Sequence, residues 1–411
     1  MAFIFITVVL DVVALGIVIP VLPRLVESFL GGDTARAAKI YGLFGTVWAL
    51  MQFVFSPVLG ALSDRFGRRP VILLSIFGLG LDYVLMALAP TLGWLFLGRV
   101  ISGITGASFT AAGAYIADVT PPEKRSASFG MIGAAWGLGF VLGPALGGLL
   151  GGVDTRLPFW AAAGMTLLNA LYGLFVLPES LPRGLHRGFA WRRANPVGSL
   201  VLLRSHPGLF GLATVNFLYL LAHQVLPSVF VLYTGYRYGW DERTVGLTLA
   251  AVGILNITVQ GILIRPIIAR FRERQTLLAG LFFGTAGFAI FGLAGSGVIL
   301  WGSLPVFALM GLFGPPAQGL MTRRVGPSEQ GQLQGANSSL LGITGMIGPG
   351  LFTLTFAHFI SSGSGRDLPG APFLLAALLL TTALVLAYRV ARPAPDSSAQ
   401  AESSRVAEEG A

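Results

Sequence analysis

Twelve apolar runs, each near the length that crosses a bilayer, constrain the fold of this chain more than any other feature. A membrane-spanning helix needs about 20 mostly apolar residues. The runs lie near residues 2–28, 38–62, 70–90, 93–117, 126–150, 157–178, 207–234, 241–265, 275–295, 299–320, 332–357 and 370–391. Only helices and closed barrels satisfy their own backbone hydrogen bonds in lipid, and runs of this length fit helices. The sequence therefore predicts an all-α membrane protein with twelve transmembrane helices, numbered here as spans one to twelve.

Composition agrees with a membrane protein and excludes several kinds of active site. Hydrophobic residues make up 54% of the 411 residues and charged residues 11%, against about 25% charged residues in soluble proteins. The chain contains no cysteine, which excludes disulfides, thiolate metal sites and cysteine nucleophiles. The sequence also has no phosphate-binding loop and no metal-ligand cluster, so we expect neither an enzyme nor a bound metal. The first run lacks a basic leader and a cleavage site, and we expect it to stay in the membrane.

The basic residues predict how the chain is oriented. Loops on the same side as the N-terminus hold most of the 27 lysines and arginines, and the opposite loops hold few. Because basic residues favour the cytoplasmic side, both termini are expected in the cytoplasm. This placement accounts for the net charge of +9 without a nucleic-acid partner. The expected partner is the lipid bilayer, and the expected state is a monomer.

The two halves of the chain repeat one another, as in many secondary transporters. A Gly-Pro pair at 143–144 recurs at 348–349, and an Arg-Phe pair at 65–66 recurs at 270–271, both 205 positions later. The repeat predicts two pseudo-symmetric six-helix halves. The predicted organisation is a six-helix bundle, a cytoplasmic interfacial linker, a second six-helix bundle and a disordered cytoplasmic tail, at 1–178, 179–206, 207–392 and 393–411.

The turn between spans two and three, at residues 57–70, is dense in charge. Its arginines and aspartate predict a conformational latch whose ion pairs form when the protein faces outward and break when it opens inward. The predicted latch residues are Gly60, Asp64, Arg65, Gly67, Arg68, Arg69 and Asp118. In the second half Ala269 stands at the position of the aspartate and Arg272 at that of the second glycine, so this copy is expected to be degraded. The simpler alternative is a charged connector.

Three charges are expected inside the bilayer, at Asp11 in span one, Asp82 in span three and Arg99 in span four. Intramembrane charges are costly and usually functional. A buried carboxylate near an arginine is balanced between its charged and neutral forms, so both aspartates are candidate proton carriers and Arg99 is expected to tune them. Asp82 is favoured because it lies closer to the middle of the membrane. The alternative is a static Asp–Arg pair that fixes helix packing.

Span five is rich in glycine. Gly139, Gly143 and Gly147 are four residues apart and share one helix face, which allows a neighbouring helix to approach closely. A proline inside the span bends it. We predict a packing surface that serves the conformational switch, and the alternative is a generic glycine face. Its residues are Gly130, Gly139, Gly143, Pro144, Gly147 and Gly148.

The spans of the second half contain amides and aromatic residues and almost no charge. An apolar, aromatic cavity with scattered polar groups suits a bulky amphipathic ligand. The alternative is that each polar residue only joins neighbouring helices, and this alternative is favoured for the histidine. Candidate substrate-binding residues are Gln52, Asn216, Phe217, His223, Gln224, Asn256, Gln260 and Gln318.

These motifs resemble those of the major facilitator superfamily. The turn at 60–69 is similar to the signature loop of the superfamily, Arg99 with Gly103 is similar to its span-four motif, and the span-five glycines resemble the motif of its drug/proton antiporters. More narrowly, five segments resemble the tetracycline efflux (Tet) branch. They are 10–11, 20–23, 81–83, 115–118 and 191–196.

The resemblance implies export of a tetracycline–divalent metal complex, with magnesium as the metal, in exchange for a proton as the coupling ion and with no other cofactor. Two departures bear on the substrate. The Tet branch has an acidic residue in span nine, where residues 283–287 of this chain include no carboxylate, and a histidine in span eight, near Asn256 here. Proton coupling would then rest on the first half. By motif match the resemblance implies functional roles for Asp11, Asp64, Arg68, Asp82 and Arg99.

We therefore predict proton-coupled efflux of an amphipathic drug, tetracycline or a similar antibiotic, by alternating access. Two alternatives of the same class stay open. They are a proton-coupled transporter of an endogenous metabolite and a multidrug exporter without tetracycline preference. A third alternative, of another class, is a non-transporting membrane receptor or assembly factor with the same fold.

Overall fold

The computed structural model describes residues 2–106, 109–121, 125–181, 200–205, 207–326, 329–361 and 367–391. Helices account for nearly all of this described part, and it contains no strand. Most of the predicted linker and the whole predicted tail lie outside the described residues. The predicted domain boundaries therefore stay a prediction.

The first half begins with a membrane pass that is split into two helices. The break between α1 and α2 contains Pro20, and proline cannot donate the backbone hydrogen bond that would continue a helix. The later passes of this half are long helices, and α5 and α6 both belong to span four, on either side of residues 107–108, which are outside the described part. The helices are α1 (Ala2–Val18), α2 (Leu22–Ser28), α3 (Thr34–Phe66), α4 (Arg68–Leu88), α5 (Leu92–Gly106), α6 (Phe109–Val119), α7 (Arg125–Gly151) and α8 (Leu157–Val176).

The second half has more breaks inside its passes. A π-helical segment, Val259–Leu263, interrupts span eight, and a 3₁₀ segment, Leu309–Leu312, interrupts span ten. Such segments often mark functional sites or hinges. The helices are α9 (Val201–Ser205), α10 (Pro207–His223), α11 (Val225–Tyr238), α12 (Glu242–Thr258), α13 (Ile264–Leu293), α14 (Gly297–Ala308), α15 (Gly314–Thr322), α16 (Gln330–Ile360) and α17 (Ala371–Val390).

The described residues form 11 helical stretches that are long and apolar enough to cross a membrane. The longest of them, Glu242–Leu293, has 52 residues. A straight helix of that length would extend about 78 Å, more than twice the hydrocarbon thickness. The stretch is broken at Arg272, whose backbone is not helical (φ 61°, ψ 164°), so it makes two passes. The protein is thus an all-α membrane protein with the twelve-span, two-half layout that the sequence predicts.

Each half has its own buried core. One large apolar cluster lies almost wholly in the second half, and two smaller clusters lie in the first half. The halves meet mainly along two helix pairs, α3 with α16 and α7 with α12. Spans two, five, eight and eleven therefore line the boundary between the halves, where a substrate path would run.

The contacts between the halves lie away from the α3–α4 turn. We call the helix ends beside this turn the turn end, and the opposite ends the far end. Among the described residues, hydrogen bonds cross between the halves at the far end or in the middle of the helices. They join Arg24 to the carbonyl of Trp240 (2.5 Å), Tyr41 to that of Pro227 (3.1 Å) and Thr46 to that of Met346 (3.1 Å). The structure is therefore sealed at the far end.

Candidate functional site

The charged turn is built on a glycine that no other residue could replace without strain. Gly67 has φ 102° and ψ 156°, a region that side-chain-bearing residues rarely adopt. This conformation lets α3 end at Phe66 and α4 start at Arg68 with no further linker residue. The carboxylate of Glu179, which follows α8, accepts hydrogen bonds from the backbone N–H groups of Arg68 (2.9 Å) and Arg69 (3.2 Å). Glu179 thus caps the N-terminus of α4 and fixes the turn against span six.

Arg68 is the centre of an ion-pair network at the turn. Its guanidinium lies 2.6 Å from the Asp64 carboxylate and 3.1 Å from that of Asp118 at the end of α6. It also donates to the hydroxyl of Ser63 (2.6 Å), and Ser180 donates to Asp118 (3.2 Å). Although it carries a charge, Arg68 is only 8% exposed. The network therefore ties together spans two, three and four and the segment after span six.

The other predicted latch residues lie outside this network. The Arg65 guanidinium stacks over the ring of Phe66, with 5.0 Å to the ring centroid. Arg69 donates to the carbonyl of Leu174 on α8 (2.5 Å), and the carbonyl of Gly60 accepts from Ser63 (2.7 Å). The ion pairs are formed in a structure that is sealed at the far end. All of their partners belong to the first half, and the predicted breaking of these pairs on inward opening stays a prediction.

Asp11 is held between spans one and six. The side-chain amide of Asn169 on α8 donates to the Asp11 carboxylate (2.9 Å) and to the backbone carbonyl of Thr7 (2.9 Å). Asp11 is 7% exposed and Asn169 is fully buried. A hydrogen bond from an amide favours the charged carboxylate, whereas burial favours the neutral acid. This site can therefore hold a carboxylate in either protonation state.

Asp82 is more deeply buried than Asp11, and its carboxylate has no close polar partner. It is 1% exposed, and neither of its carboxylate oxygens has a hydrogen-bond partner among the described residues. The static ion pair with Arg99, which was the alternative to a proton carrier, is not formed within 4 Å, and the Arg99 guanidinium lies 3.7 Å from the sulfur of Met86. The carboxylate faces the α5 backbone at Gly98, where an added Cβ would lie 3.0 Å from Oδ1. Shared depth in the membrane does not fix which way two side chains rotate.

The glycines of span five pack against two different helices. Gly139 and Gly147 face Val12 and Ile17 of α1, and a Cβ on Gly143 would lie only 2.5 Å from the Cα of Gly16. The predicted single face is therefore filled by span one of the same half. The other contact is made by Gly148, described below. Pro144 lies inside α7 as expected, and Gly130 lies in α7, but its surroundings are outside the described part.

Gly148 faces the second half. A Cβ added there would lie 2.5 Å from the carbonyl oxygen of Glu242 and 2.8 Å from the Cα of Gly246, both on α12. Two helices thus touch backbone to backbone at the far end. Of the predicted packing glycines in the described part, Gly148 is the one that bears directly on the seal between the halves.

The structure brings some of the candidate substrate residues together. The Asn216 amide donates to Asn337 (3.3 Å), whose own amide donates to Gln318 (3.0 Å), so that α10, α16 and α15 are joined by a chain of amides. Tyr219 stacks on Phe313 with 4.0 Å between ring centroids. Asn256 and Gln260 lie side by side opposite Gly311, at the π-helical segment. These groups form an amide and aromatic surface in the second half.

The remaining candidates are dispersed. Phe217 packs on the core of the second half, and Gln224 packs against Gly348 of α16. His223 is exposed, with its ring 6.3 Å from that of Tyr219. Gln52 belongs to the first half, opposite Gly106. A cavity of about 690 Å³ at the far end, lined by Tyr238, Trp240, Thr244, Ser296, Gly297, Val298 and Trp301, contains none of the candidates.

Comparison with known proteins identifies the family. A family profile described as the Major Facilitator Superfamily matches residues 4–349. The chain belongs to the major facilitator superfamily. Among its relatives, the tetracycline resistance protein of class C from Escherichia coli is 40% identical over 362 residues, which cover 87% of this chain and 90% of that protein. The class H protein from Pasteurella multocida is 33% identical over 92% of this chain and 93% of its own length.

Solved structures agree on the superfamily fold. The nucleoside transporter NupG superposes with a TM-score of 0.74 at 14% identity, covering 96% of this chain and 99% of that chain. A bacterial homolog to the human lysosomal transporter Spinster, in an inward-facing and occupied conformation, gives 0.72 at 17% identity, over 95% and 96% of the two chains. The family profile and the tetracycline resistance relatives show that the protein is a multi-pass membrane transporter of this superfamily and not an enzyme.

Two residues of the site, Glu179 and Asn169, were not among the predicted ones. Glu179 was assigned to the linker, although an acid immediately after an apolar span and close to basic loops was a signal for a partner. Asn169 was hidden in span six, where it is an isolated amide in an otherwise apolar run. The described residues contain no cluster of three or more acidic or histidine side chains, and the predicted absence of a metal site stays a prediction.

Proposed function

We propose that this transporter exports tetracycline in exchange for protons, by alternating access, across a bacterial inner membrane with both termini in the cytoplasm. The observation that carries the proposal is the 40% identity to the class C tetracycline resistance protein over 87% of the chain. The sequence motifs of the drug/proton antiporters support the same assignment. Neither alternative of the same class has an observation of comparable weight.

Asp82 is the proposed main proton carrier. A carboxylate that is 1% exposed and has no hydrogen-bond donor is strongly destabilised by desolvation when it is charged. Taking up a proton removes this cost, so protonation and the local structure are coupled. The positive charge of Arg99 lies nearby without an ion pair, and it lowers the cost of the charged form from a distance. Asp11, with its amide donor, is the proposed second carrier.

Alternating access is supported by the position of the seal. The halves touch at the far end through the Gly148 contact and through hydrogen bonds such as that of Arg24 to Trp240. With the proposed orientation, the far end faces outward, so this arrangement is closed to the outside. Release of the drug requires these contacts to open while the halves approach at the turn end. Rigid halves with separate cores suit such a rocking motion.

The proposed drug surface is the amide and aromatic region of the second half. The amide chain around Asn337 and the partly buried ring of Tyr219, which stacks on the buried Phe313, offer hydrogen bonds and apolar contact to a fused-ring drug. A magnesium ion carried with tetracycline would be part of the substrate. The second half supplies no intramembrane carboxylate to bind it, so the metal is proposed to stay coordinated by the drug.

The test is drug-driven proton movement in everted membrane vesicles. We expect tetracycline to release protons from energised vesicles that contain the wild-type protein, and Asp82→Asn to abolish the response at equal expression. Asp33→Asn is the matched control, because Asp33 caps α3 outside the membrane and asparagine caps equally well. An undiminished response in Asp82→Asn would refute Asp82 as the carrier. If the wild type responds to an unrelated cationic drug and not to tetracycline, the substrate assignment fails.

A further inference from the structure

The turn between spans eight and nine repeats the backbone of the charged turn. Arg272 lies 205 positions after Gly67 and adopts nearly the same unusual conformation, φ 61° and ψ 164° against φ 102° and ψ 156°. Arg272 is the one non-glycine residue with positive φ among the described residues. The second turn therefore keeps the shape of the first, although its sequence has lost the glycine.

The ion pair of the first turn also recurs, but with its charges exchanged. Arg68 and Asp118 form the pair in the first half. The positions 205 residues later are Glu273 and Arg323, and these two side chains form an ion pair as well. An acid thus replaces the base on span nine, and a base replaces the acid on span ten. A comparison by residue identity reads this copy as degraded, whereas the structure shows a reversed pair.

The reversed polarity fits the helix ends better than the original one. Glu273 lies at the N-terminal end of span nine and Arg323 directly follows the C-terminus of α15, so each charge is favourable toward the dipole of its own helix. In the first half both charges are opposed to their helix dipoles. There the N-terminus of α4 needs the separate acid Glu179 as its cap. In the second half, the two residues of the pair complement the dipoles of both helix ends without a third residue.

The pair is also connected to the rest of the second half. Glu273 packs over Gly319 of α15, where an added Cβ would lie 3.0 Å from its Oε1. Arg324, next to the paired arginine, donates to the carbonyls of Gly208 on α10 and Val390 on α17 (3.0 Å for the latter). Spans seven, nine, ten and twelve are therefore joined at one point of the turn end.

We propose that Glu273 and Arg323 are positioning residues of the transport cycle, which set the arrangement of spans nine and ten at the turn end as Arg68 and Asp118 do for spans three and four. The inference rests on the proposed transport function. The paired arginine is 61% exposed, and exposed ion pairs add little to overall stability. The effect of the pair is therefore expected in the balance between conformations, more than in the melting temperature.

The test uses charge reversal with two independent readouts. Glu273→Arg and Arg323→Glu each leave two like charges together, and the double variant restores an attractive pair. We expect each single variant to slow drug-driven proton movement about tenfold and the double variant to recover at least half of the lost rate. Recovery stays incomplete because the exchanged charges oppose the helix dipoles. Glu273→Gln keeps the size of the side chain, so it tests the loss of the charge in a variant that is expected to fold. It is expected to slow transport about threefold.

The second readout does not depend on transport. The chain has no cysteine, so Thr46→Cys with Met346→Cys reports the far-end seal through the rate of cross-linking by a short bifunctional thiol reagent. We expect the single reversals to lower this rate and the double reversal to restore it. Single variants that match the wild type in both readouts would overturn the inference, as would a double variant no better than either single. Failure of wild-type transport would refute the proposed function alone, since the cross-linking readout still decides this inference.

Discussion

Substitution of Gly148 perturbs the far-end seal most directly. Replacing it with alanine places a Cβ 2.5 Å from the carbonyl oxygen of Glu242 and 2.8 Å from the Cα of Gly246, whereas ordinary contacts begin at 3.4 Å. The two helices must therefore separate by about 0.6 to 0.9 Å. Overpacking of this kind costs about 1–3 kcal/mol. The better helix propensity of alanine is gained in both conformations and cancels from the balance between them.

Under the proposed alternating access, the contact between Gly148 and α12 opens in the other conformation, so the strain is expected in the sealed state alone. A cost of about 1–3 kcal/mol corresponds to a five- to 150-fold fall in the ratio of sealed to unsealed protein. The Thr46→Cys, Met346→Cys cross-link measures that ratio. Gly133→Ala is the matched control, since it lies on the same helix and an added Cβ there meets nothing within 4 Å. A cross-linking rate in Gly148→Ala that equals that of Gly133→Ala would refute the reasoning.

Three further predictions concern single contacts. Arg272→Gly should raise the free energy of unfolding by about 1 kcal/mol in detergent, because it removes backbone strain of about 1–3 kcal/mol and adds the flexibility of glycine; an unchanged or lower value would show that the turn is not strained. Glu179→Ala should lower it by about 1–2 kcal/mol through loss of the α4 cap, and Glu179→Gln should recover part of that loss; equal values for the two variants would contradict the capping role. Asn169→Leu should lower it by about 1–3 kcal/mol, since Asp11 then lacks its donor, and an Asp11→Leu, Asn169→Leu double variant should lose less than the single variant; a larger loss would contradict this.

The spans were predictable because apolar length and loop charge are local properties of the sequence. Spans eight and nine form one continuous helical stretch, but their number is still readable from the sequence. The break at Arg272 falls among the polar residues of 269–274. The split of span one was not predicted, although Pro20 inside the apolar run was a local signal for it. Helix existence and order thus follow from composition along the chain, before any packing is known.

Side-chain partners were less predictable, for identifiable physical reasons. Asp82 and Arg99 share a depth, but the rotation of α4 and α5 turns the carboxylate to Gly98 and the guanidinium to Met86. The network around Arg68 includes Glu179, 111 residues away, and no local pattern selects one distant acid among several. The reversed pair in the second turn was not predicted, because exchange of the two charges removes the sequence identity between the turns while it preserves the interaction.

The central claim is that an imposed proton gradient is sufficient to drive tetracycline across the membrane through this protein. The direct measurement uses purified protein in sealed liposomes with an acidic interior, where accumulated tetracycline is followed by its fluorescence. The account predicts accumulation against the drug gradient that is lost when an ionophore dissipates the proton gradient. Accumulation equal to that of protein-free liposomes, or unaffected by the ionophore, would contradict it.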